Sequence, residues 1–253
     1  MTLFYDTQSF FSRALRKLWR NPTLLVIHLF TPLMFLLLFS QLLQELSIFL
    51  GPTGSYLAYL TPGILVMNVT IGMPSGMSIV IDLDSGFLQK VLVTPTSRSA
   101  ILLGRLLSDM LVLMAQSAII IGVAMLLGLR IATGVGGLLL IFVTFAFFGL
   151  AWSGVAFALG LKTKNAETLS AMDNIIALPL LFVSSALFPT SIMPLWARTV
   201  SDYNPLSYVS NVTRGLVQGG LTWGTFTSAY AVIGLIAMVT FGATLYLFRK
   251  VVS

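Results

Sequence analysis

Long apolar runs alternate with short polar breaks along the whole chain. Six runs cover residues 24–43, 56–81, 101–129, 134–161, 168–188 and 225–248. An α-helix needs about 20 mostly apolar residues to cross the ~30 Å hydrocarbon core of a bilayer, and these runs match that length. Their apolar positions are continuous rather than alternating, so the pattern indicates helices and not the strands of a barrel. We therefore expect an all-α integral membrane protein with six transmembrane helices.

The composition supports a membrane protein, and the charge distribution sets its orientation. Hydrophobic residues make up 57% of the chain and charged residues only 9%, against roughly 25% charged residues in soluble domains. With six spans, the basic residues on the side of both termini are Arg13, Arg16, Lys17, Arg20, Lys90, Arg98, Arg105, Lys162, Lys164, Arg249 and Lys250. Those on the opposite side are Arg130, Arg198 and Arg214. Because basic loops stay cytoplasmic, we expect a multi-pass cell-membrane protein with both termini in the cytoplasm. The net charge of +6 then requires no nucleic-acid partner.

The chain contains few residues of the types used for catalysis, metal binding or ATP binding. The chain has no Cys and no G-x-x-x-x-G-K-[ST] phosphate loop, so we expect neither a thiolate metal site nor an ATP site of its own. The single His, His28, is expected to be packed or interfacial, and Arg105 and Asp109 to form a structural pair one helical turn apart. Asp82 and Asp173 are expected at solvated cytoplasmic helix ends. We therefore predict that the chain is not an enzyme and holds no metal or cofactor.

The first 20 residues form a separate amphipathic pattern. Apolar residues recur there at helical spacing, opposite basic ones: Phe4, Phe11, Leu15, Leu18 and Trp19 against Arg13, Arg16, Lys17 and Arg20. This predicts a helix over residues 1–20 that lies on the cytoplasmic surface of the membrane, in contact with lipid. Two interpretations stay open: a basic flank that only sets the topology, or a helix that also contacts a partner protein.

A basic, half-apolar segment at residues 84–95 joins the second and third runs. Phe87, Leu88, Val91 and Leu92 fall on one face of a short helix, and Pro95 ends that helix. This face either rests on the membrane interface or docks into a groove of a soluble partner. A loop that only reversed the chain would not need an apolar face, so docking is the preferred hypothesis.

A second long connection, residues 189–220, precedes the last run. Pro194 and Pro205 interrupt it, so it cannot span the membrane. Trp196, Tyr203 and Tyr208 are residues favoured at the membrane–water interface. We expect one or two short helices that dip into the outer interface. The alternative is an ordinary extracellular loop with aromatic anchors.

Proline and glycine interrupt the second run, at Pro62, Gly63, Gly72, Pro74 and Gly76. Gly72 and Gly76 form a G-x-x-x-G spacing, which permits close helix packing. Broken helices persist in membranes only where protein or a cavity satisfies the freed backbone groups. The run is therefore a candidate lining of a transport pathway or a dimer interface, through Met67, Asn68, Gly72, Met73, Gly76 and Met77. These side chains carry no fixed charge, which suits hydrophobic or amphipathic substrates.

Three stretches of the chain resemble the permease subunits of type-2 ABC exporters, a group that includes bacterial drug, lipid-linked glycan and nodulation-factor exporters. They are "YLTPGILVMNVTIGMPSGMSIVID", "GFLQKVLVTPTSRSAILLGRLLSD" and "NPLSYVSNVTRGL". The resemblance covers nearly the whole chain, and its most specific part is the acidic-x-Gly-x-Leu-x-x-x-Leu-x-Thr-Pro-x-Ser-Arg pattern at residues 84–98. It implies that residues 21–253 form a six-helix type-2 ABC transmembrane domain.

The resemblance also implies roles for the segments outside the spans. Residues 84–95 would carry the coupling helix that contacts the ATPase subunit, through Gly86, Phe87, Leu88, Gln89, Lys90, Val91, Leu92, Thr94 and Pro95. The N-terminal helix would contact the same subunit, and residues 189–220 would form a re-entrant pair that closes the pathway from outside. Gln89 stands where an acidic residue is more usual, so no ion pair to the ATPase is inferred there.

The function implied is a permease that exports a hydrophobic or amphipathic substrate, drug-like or lipid-like. It would act as a homodimer, or as a heterodimer with a similar permease, above two separate ATPase subunits that bind ATP and Mg. Export of a lipid-linked glycan or polysaccharide is the alternative, although such a pathway would more plausibly be lined with aromatic residues. An intramembrane enzyme or a passive channel is the competing hypothesis from another class.

Overall fold

The computed structural model describes residues 12, 22–50, 55–71, 74–86 and 98–252, and the regular elements within these ranges are helical. The α-helices are α1 (Pro22–Leu42), α2 (Tyr56–Thr70), α3 (Pro74–Asp84), α4 (Arg98–Leu126), α5 (Gly134–Thr163), α6 (Ala166–Phe182), α7 (Leu195–Tyr203), α8 (Pro205–Gln218) and α9 (Trp223–Val252). Short 3-10 helices cover Gln44–Leu50 and Thr190–Ile192. The all-α fold class is confirmed.

Several of these helices are apolar enough for a bilayer. Within the described residues, three are also long enough to cross it, at Gly104–Leu126, Gly134–Thr163 and Trp223–Thr244. Shorter apolar helices cover Val26–Leu42 and Tyr56–Thr70. Three of the apolar runs of the sequence therefore form helices that are long and apolar enough to cross a membrane.

The second run, expected as one span with interruptions, is two helices. Helix α2 ends at Thr70, Ile71 is extended (φ −89°, ψ 134°), and Pro74 begins α3. Proline has no N–H, so the Thr70 carbonyl four residues earlier would lack its helical donor at this point. The indole Nε1 of Trp152, on α5, donates to the Thr70 oxygen at 3.2 Å. A side chain from another helix thus satisfies the freed backbone group, as the membrane interior requires.

Helix α5 is the centre of the bundle and packs against α2, α3, α4, α6, α8 and α9. Phe145, Phe148 and Phe157 on this helix are fully buried. Close packing on α3 depends on Gly76, because a Cβ at that position would lie 2.5 Å from the Ala156 carbonyl oxygen. The predicted use of this glycine for close helix packing is observed.

Helix α6 is joined to α5 by a tight turn. Lys164 adopts the left-handed conformation (φ 51°) that ends α5. The Asn165 side chain then accepts a hydrogen bond from the Thr168 N–H at 2.9 Å and caps α6. Helix α6 ends at Phe182, before the predicted residue 188. There the Ser184 hydroxyl donates to the Leu181 oxygen at 2.6 Å, and such a local bond competes with helix continuation.

The connection between α6 and α9 consists of two short helices rather than an irregular loop. Helix α7 exposes Trp196 and Tyr203, while α8 packs on α2, α5 and α9. Asn204 separates them: its side chain accepts from the Leu206 N–H at 2.9 Å and donates to the Leu180 oxygen at 2.7 Å. The expectation of one or two short helices in residues 189–220 is met by α7 and α8.

Candidate functional site

A cavity of about 200 Å³ lies between α1, α2 and α4, and we call it the interior cavity. Its lining is Ile27, His28, Thr31, Pro32, Met67, Asn68, Ile71, Leu113 and Gln116. No ionisable carboxylate or amine is among these residues. The interior cavity therefore offers an apolar wall with a few amide, hydroxyl and imidazole groups, which is the usual chemistry of a small-molecule pocket.

Two amide side chains form the polar part of the interior cavity. Asn68 on α2 and Gln116 on α4 are only 8% and 5% exposed. The Asn68 Nδ2 donates to the Gln116 Oε1 at 3.3 Å. This single, long bond leaves other donor and acceptor positions of the two amides available. Gln116 is not among the residues predicted from the sequence, although a lone glutamine within an apolar run is a recognisable signal.

Helix α1 contributes the outer rim of the interior cavity. His28 and Thr31 are exposed on the surface of this single chain and also line the cavity. Among the residues that the structure describes, no group of three His, Cys, Asp or Glu side chains could hold a metal ion. The imidazole of His28 therefore contributes hydrogen-bonding groups to the rim of the cavity, since this residue lines it.

The predicted pathway residues have different surroundings. Met67 and Asn68 line the interior cavity. Gly76 is buried against α5 and does not line it, and Met77 is half-buried on α3. Gly72 and Met73 lie outside the described residues. The structure therefore brings two of the six candidates together with His28 and Gln116 in one site.

The predicted coupling helix begins where the described part of α3 ends. Asp84 and Ser85 are exposed, and Gly86 follows with a positive φ of 65°, a conformation that suits glycine. The other predicted contact residues lie outside the described residues: Phe87, Leu88, Gln89, Lys90, Val91, Leu92, Thr94 and Pro95. The same holds for the N-terminal helix apart from residue 12. Their roles stay predictions.

The structure shows the partners or the burial of four charged side chains in the helices of the predicted spans. The Arg105 Nε lies 3.8 Å from the Asp109 Oδ1, so the predicted pair forms. The expectation that Asp173 is solvated was wrong, because its side chain on α6 is only 4% exposed. Asp82, near the end of α3, is partly exposed. The error for Asp173 arose because hydropathy does not reveal which face of α6 packs on α3 and α5.

Most of the chain is similar in sequence to known proteins. Residues 5–217 match the family model described as ABC-2 type transporter. The daunorubicin resistance ABC transporter permease protein DrrB1 of Streptomyces coeruleorubidus is 29% identical over 239 residues, covering 91% of this chain and 81% of the relative.

Two further relatives are more distant. The probable multidrug ABC transporter permease YbhR of Escherichia coli (strain K12) is 21% identical, over 65% of this chain and 45% of the relative. The probable doxorubicin resistance ABC transporter permease protein DrrC of Mycobacterium tuberculosis (strain ATCC 25618 / H37Rv) is 24% identical, over 53% and 49%. Together with the apolar helices, the family match shows that the chain belongs to the ABC-2 type transporter family, as a transport permease with transmembrane helices.

Proposed function

We propose that the chain is the membrane permease of an ATP-driven exporter that moves a hydrophobic or amphipathic compound, drug-like or lipid-like, out of the cell. The observation that carries this proposal is the interior cavity, which has no carboxylate, amine or guanidinium group, is largely apolar and lies between apolar helices. An apolar wall with a few hydrogen-bonding groups accepts amphipathic molecules of varied shape. The names of the relatives, which refer to daunorubicin resistance and to multidrug transport, support the same class.

We propose six spans with both termini in the cytoplasm. They are α1, the pair α2 and α3, α4, α5, α6 and α9. Helix α6 has 17 residues and a length of about 26 Å, which is close to the hydrocarbon thickness. The nine residues of α7 reach only about 13 Å. Its exposed Trp196 and Tyr203 fit the outer headgroup region, so α7 and α8 would form a re-entrant pair in residues 189–220.

The exposed face of α6 supports a permease dimer. Ser170 and Asn174 are exposed there beside Ile175, which is 72% exposed. Polar side chains inside a membrane usually face protein or a water-filled cavity, because lipid cannot satisfy their hydrogen bonds. A second permease, identical or similar, would cover this face and that of α1, where His28 and Thr31 are exposed.

A separate subunit would supply the energy. The printed sequence has no phosphate-binding loop of the P-loop type. ATP and Mg would therefore bind to an ATPase subunit, which contacts the coupling helix at residues 84–95 and the N-terminal helix. Closure of two such subunits would push the coupling helices and open the dimer outward.

The coupling contact gives the decisive experiment. Leu88→Asp or Val91→Asp places a carboxylate in the apolar face and removes burial worth about 2–3 kcal/mol, with a desolvation penalty added. Since 1.4 kcal/mol is a factor of ten, the ATPase subunit should bind at least tens of fold more weakly. The measurement is co-purification with the ATPase subunit, followed by substrate-stimulated ATP hydrolysis.

Gln89→Asp is the matched control, because it adds the same carboxylate on the polar face of the same short helix. Because Gln89 belongs to the predicted contact segment but not to its apolar face, this variant should weaken ATPase binding far less than Leu88→Asp or Val91→Asp. Full retention of both ATPase binding and stimulated hydrolysis in Leu88→Asp and Val91→Asp would overturn the coupling role.

A further inference from the structure

The non-helical turn after α6 is held by side chains from distant parts of the chain. Helix α6 ends at Phe182, so carbonyl groups of residues 183–188 have no helical donors. The backbone carbonyl oxygen of Ser185 accepts a hydrogen bond from the Tyr59 hydroxyl at 2.6 Å and one from the Arg214 Nη2 at 2.8 Å. The Leu187 oxygen accepts from the Tyr56 hydroxyl at 3.1 Å. We call Tyr56, Tyr59, Arg214 and this turn the outer clasp.

Arg214 is the centre of the outer clasp. Its Nη1 donates to the Asn211 Oδ1 at 2.7 Å, and its Nη2 also reaches the Tyr59 carbonyl oxygen at 3.4 Å. The guanidinium carbon lies 3.7 Å from the centre of the Tyr59 ring, within cation–π distance. Within the described residues, no Asp or Glu oxygen forms an ion pair with it. The charge is therefore held by backbone carbonyls, an amide and an aromatic face, which belong to three separate segments.

Close backbone packing brings the turn onto α2. Gly63 has no side chain, and a Cβ added there would collide with the Ala186 carbonyl oxygen. On the other side of the turn, the Ser185 N–H donates to the Ser207 hydroxyl of α8 at 3.0 Å. Helix α2, the turn and α8 are thus fastened together at the outer end of the bundle.

The outer clasp borders a polar cavity of about 380 Å³, whose lining includes Tyr59, Ser185, Ser207, Asn211 and Arg214. Asn211 is exposed. A hydrogen bond between protein groups can be exchanged for bonds to water at small net cost. A fastening made of such bonds, next to a polar cavity, can therefore open and close again, whereas a packed apolar contact would resist hydration.

We infer that Arg214 is a positioning residue that keeps the outer end of the pathway closed by fastening the 183–188 turn to α2, and that substrate release requires this contact to open. The inference rests on the proposed export function. Arginine suits this position because its planar fork donates in several directions at once, which the single ammonium of lysine cannot reproduce.

A cysteine reporter tests the inference in the complete transporter with its ATPase subunit. Ser210 is fully buried and its Oγ lies 3.2 Å from the Ser185 Oγ. Ser210→Cys is nearly isosteric, and the chain has no other cysteine. The rate of labelling by an impermeant maleimide from outside then reports opening of the outer clasp.

Without nucleotide, Arg214→Gln should raise the labelling rate of the reporter about tenfold, because local opening becomes easier. Arg214→Lys should give an intermediate rate. Arg198→Gln, which removes an exposed charge from α7 on the same side, is the matched control and should leave the rate unchanged. With arginine in place, ATP and a transported compound should accelerate labelling.

Each result decides one part of the inference. Equal labelling in the Arg214→Gln and unchanged backgrounds would overturn the clasp. If the cysteine stays unlabelled by maleimide throughout active ATP turnover, the opening step is overturned, and the outer clasp has only a structural role. Should Arg214→Gln fail to fold, Tyr59→Phe removes only the hydroxyl bond to the Ser185 oxygen and should still raise labelling. Failure of the proposed function has a separate readout, which is the absence of substrate-stimulated ATP hydrolysis in the reporter protein. That result would also overturn the opening step, because the step depends on export.

Discussion

The interior cavity and the outer clasp are both polar clusters in a largely apolar chain, and both use α2. They differ in how fully their polar groups are paired. In the interior cavity one hydrogen bond of 3.3 Å joins Asn68 to Gln116. In the outer clasp the carbonyl oxygen of Ser185 alone accepts two hydrogen bonds, from Tyr59 at 2.6 Å and from Arg214 at 2.8 Å. Both clusters border a cavity, but the outer clasp is also packed directly against the backbone of a neighbouring segment.

This difference indicates two tasks. A network with several hydrogen bonds between segments favours one arrangement of the surrounding elements, because these bonds must be exchanged for bonds to water when the segments separate. Amides with unused capacity beside a cavity can instead exchange partners with a bound molecule at little cost. We therefore expect changes at the outer clasp to alter stability and opening, and changes at the interior cavity to alter substrate dependence.

Gly63→Ala should give the largest effect on stability. The added Cβ collides with the Ala186 backbone, so α2 and the turn must separate. Overpacking costs about 1–3 kcal/mol, and a clash with backbone atoms falls in the upper part of that range, which exceeds the ~1 kcal/mol that alanine gains over glycine within a helix. The measurement is denaturant unfolding of the detergent-solubilised protein.

Gly122→Ala on α4 is the control for this change, since no atom outside the local backbone of its own helix lies within 4 Å of a Cβ added there. It should be neutral or slightly stabilising. Equal stabilities for the two variants would remove the distinction between a tight outer end and a looser interior.

Asn68→Leu should have its main effect on substrate dependence. It removes one amide of the interior cavity and leaves Gln116 without its partner. We expect the substrate concentration for half-maximal ATPase stimulation to rise about tenfold, as when one buried hydrogen bond is lost, while stability falls by only about 0.6 kcal/mol. Gln116→Leu should act in the same direction. A purely structural pair would change stability in both variants without changing the half-maximal concentration.

Tyr56→Phe should have the smallest effect. It removes the hydroxyl that donates to the Leu187 oxygen at 3.1 Å and keeps the ring in place. Hydrogen bonds between side chains within membranes contribute about 0.6 kcal/mol on average, so unfolding should shift by about that amount, with no change in substrate dependence. Tyr246→Phe, at a 67% exposed position on α9, should change neither quantity. A change in substrate dependence with Tyr56→Phe would mean that the two clusters act as one site.

The sequence by itself determined the membrane class, the apolar helices, the interruption before Pro74 and the Arg105–Asp109 pair. Each of these depends on the preference of residues for lipid or water, or on contacts within one or two helical turns. The same holds for the apolar face at residues 84–95, which the pattern alone predicts and which stays a prediction.

Only the tertiary structure decided which polar groups meet. Asn68 and Gln116 are 48 residues apart, Thr70 and Trp152 are 82 apart, and Tyr59 and Arg214 are 155 apart. Hydropathy treats each of these side chains as an isolated cost in the membrane. The packing of α2 against α4, α5 and α8 brings these polar groups into hydrogen-bonding contact with one another. In an apolar medium a buried polar group has no other partner than another part of the protein, so this packing removes the free-energy cost of burying it alone.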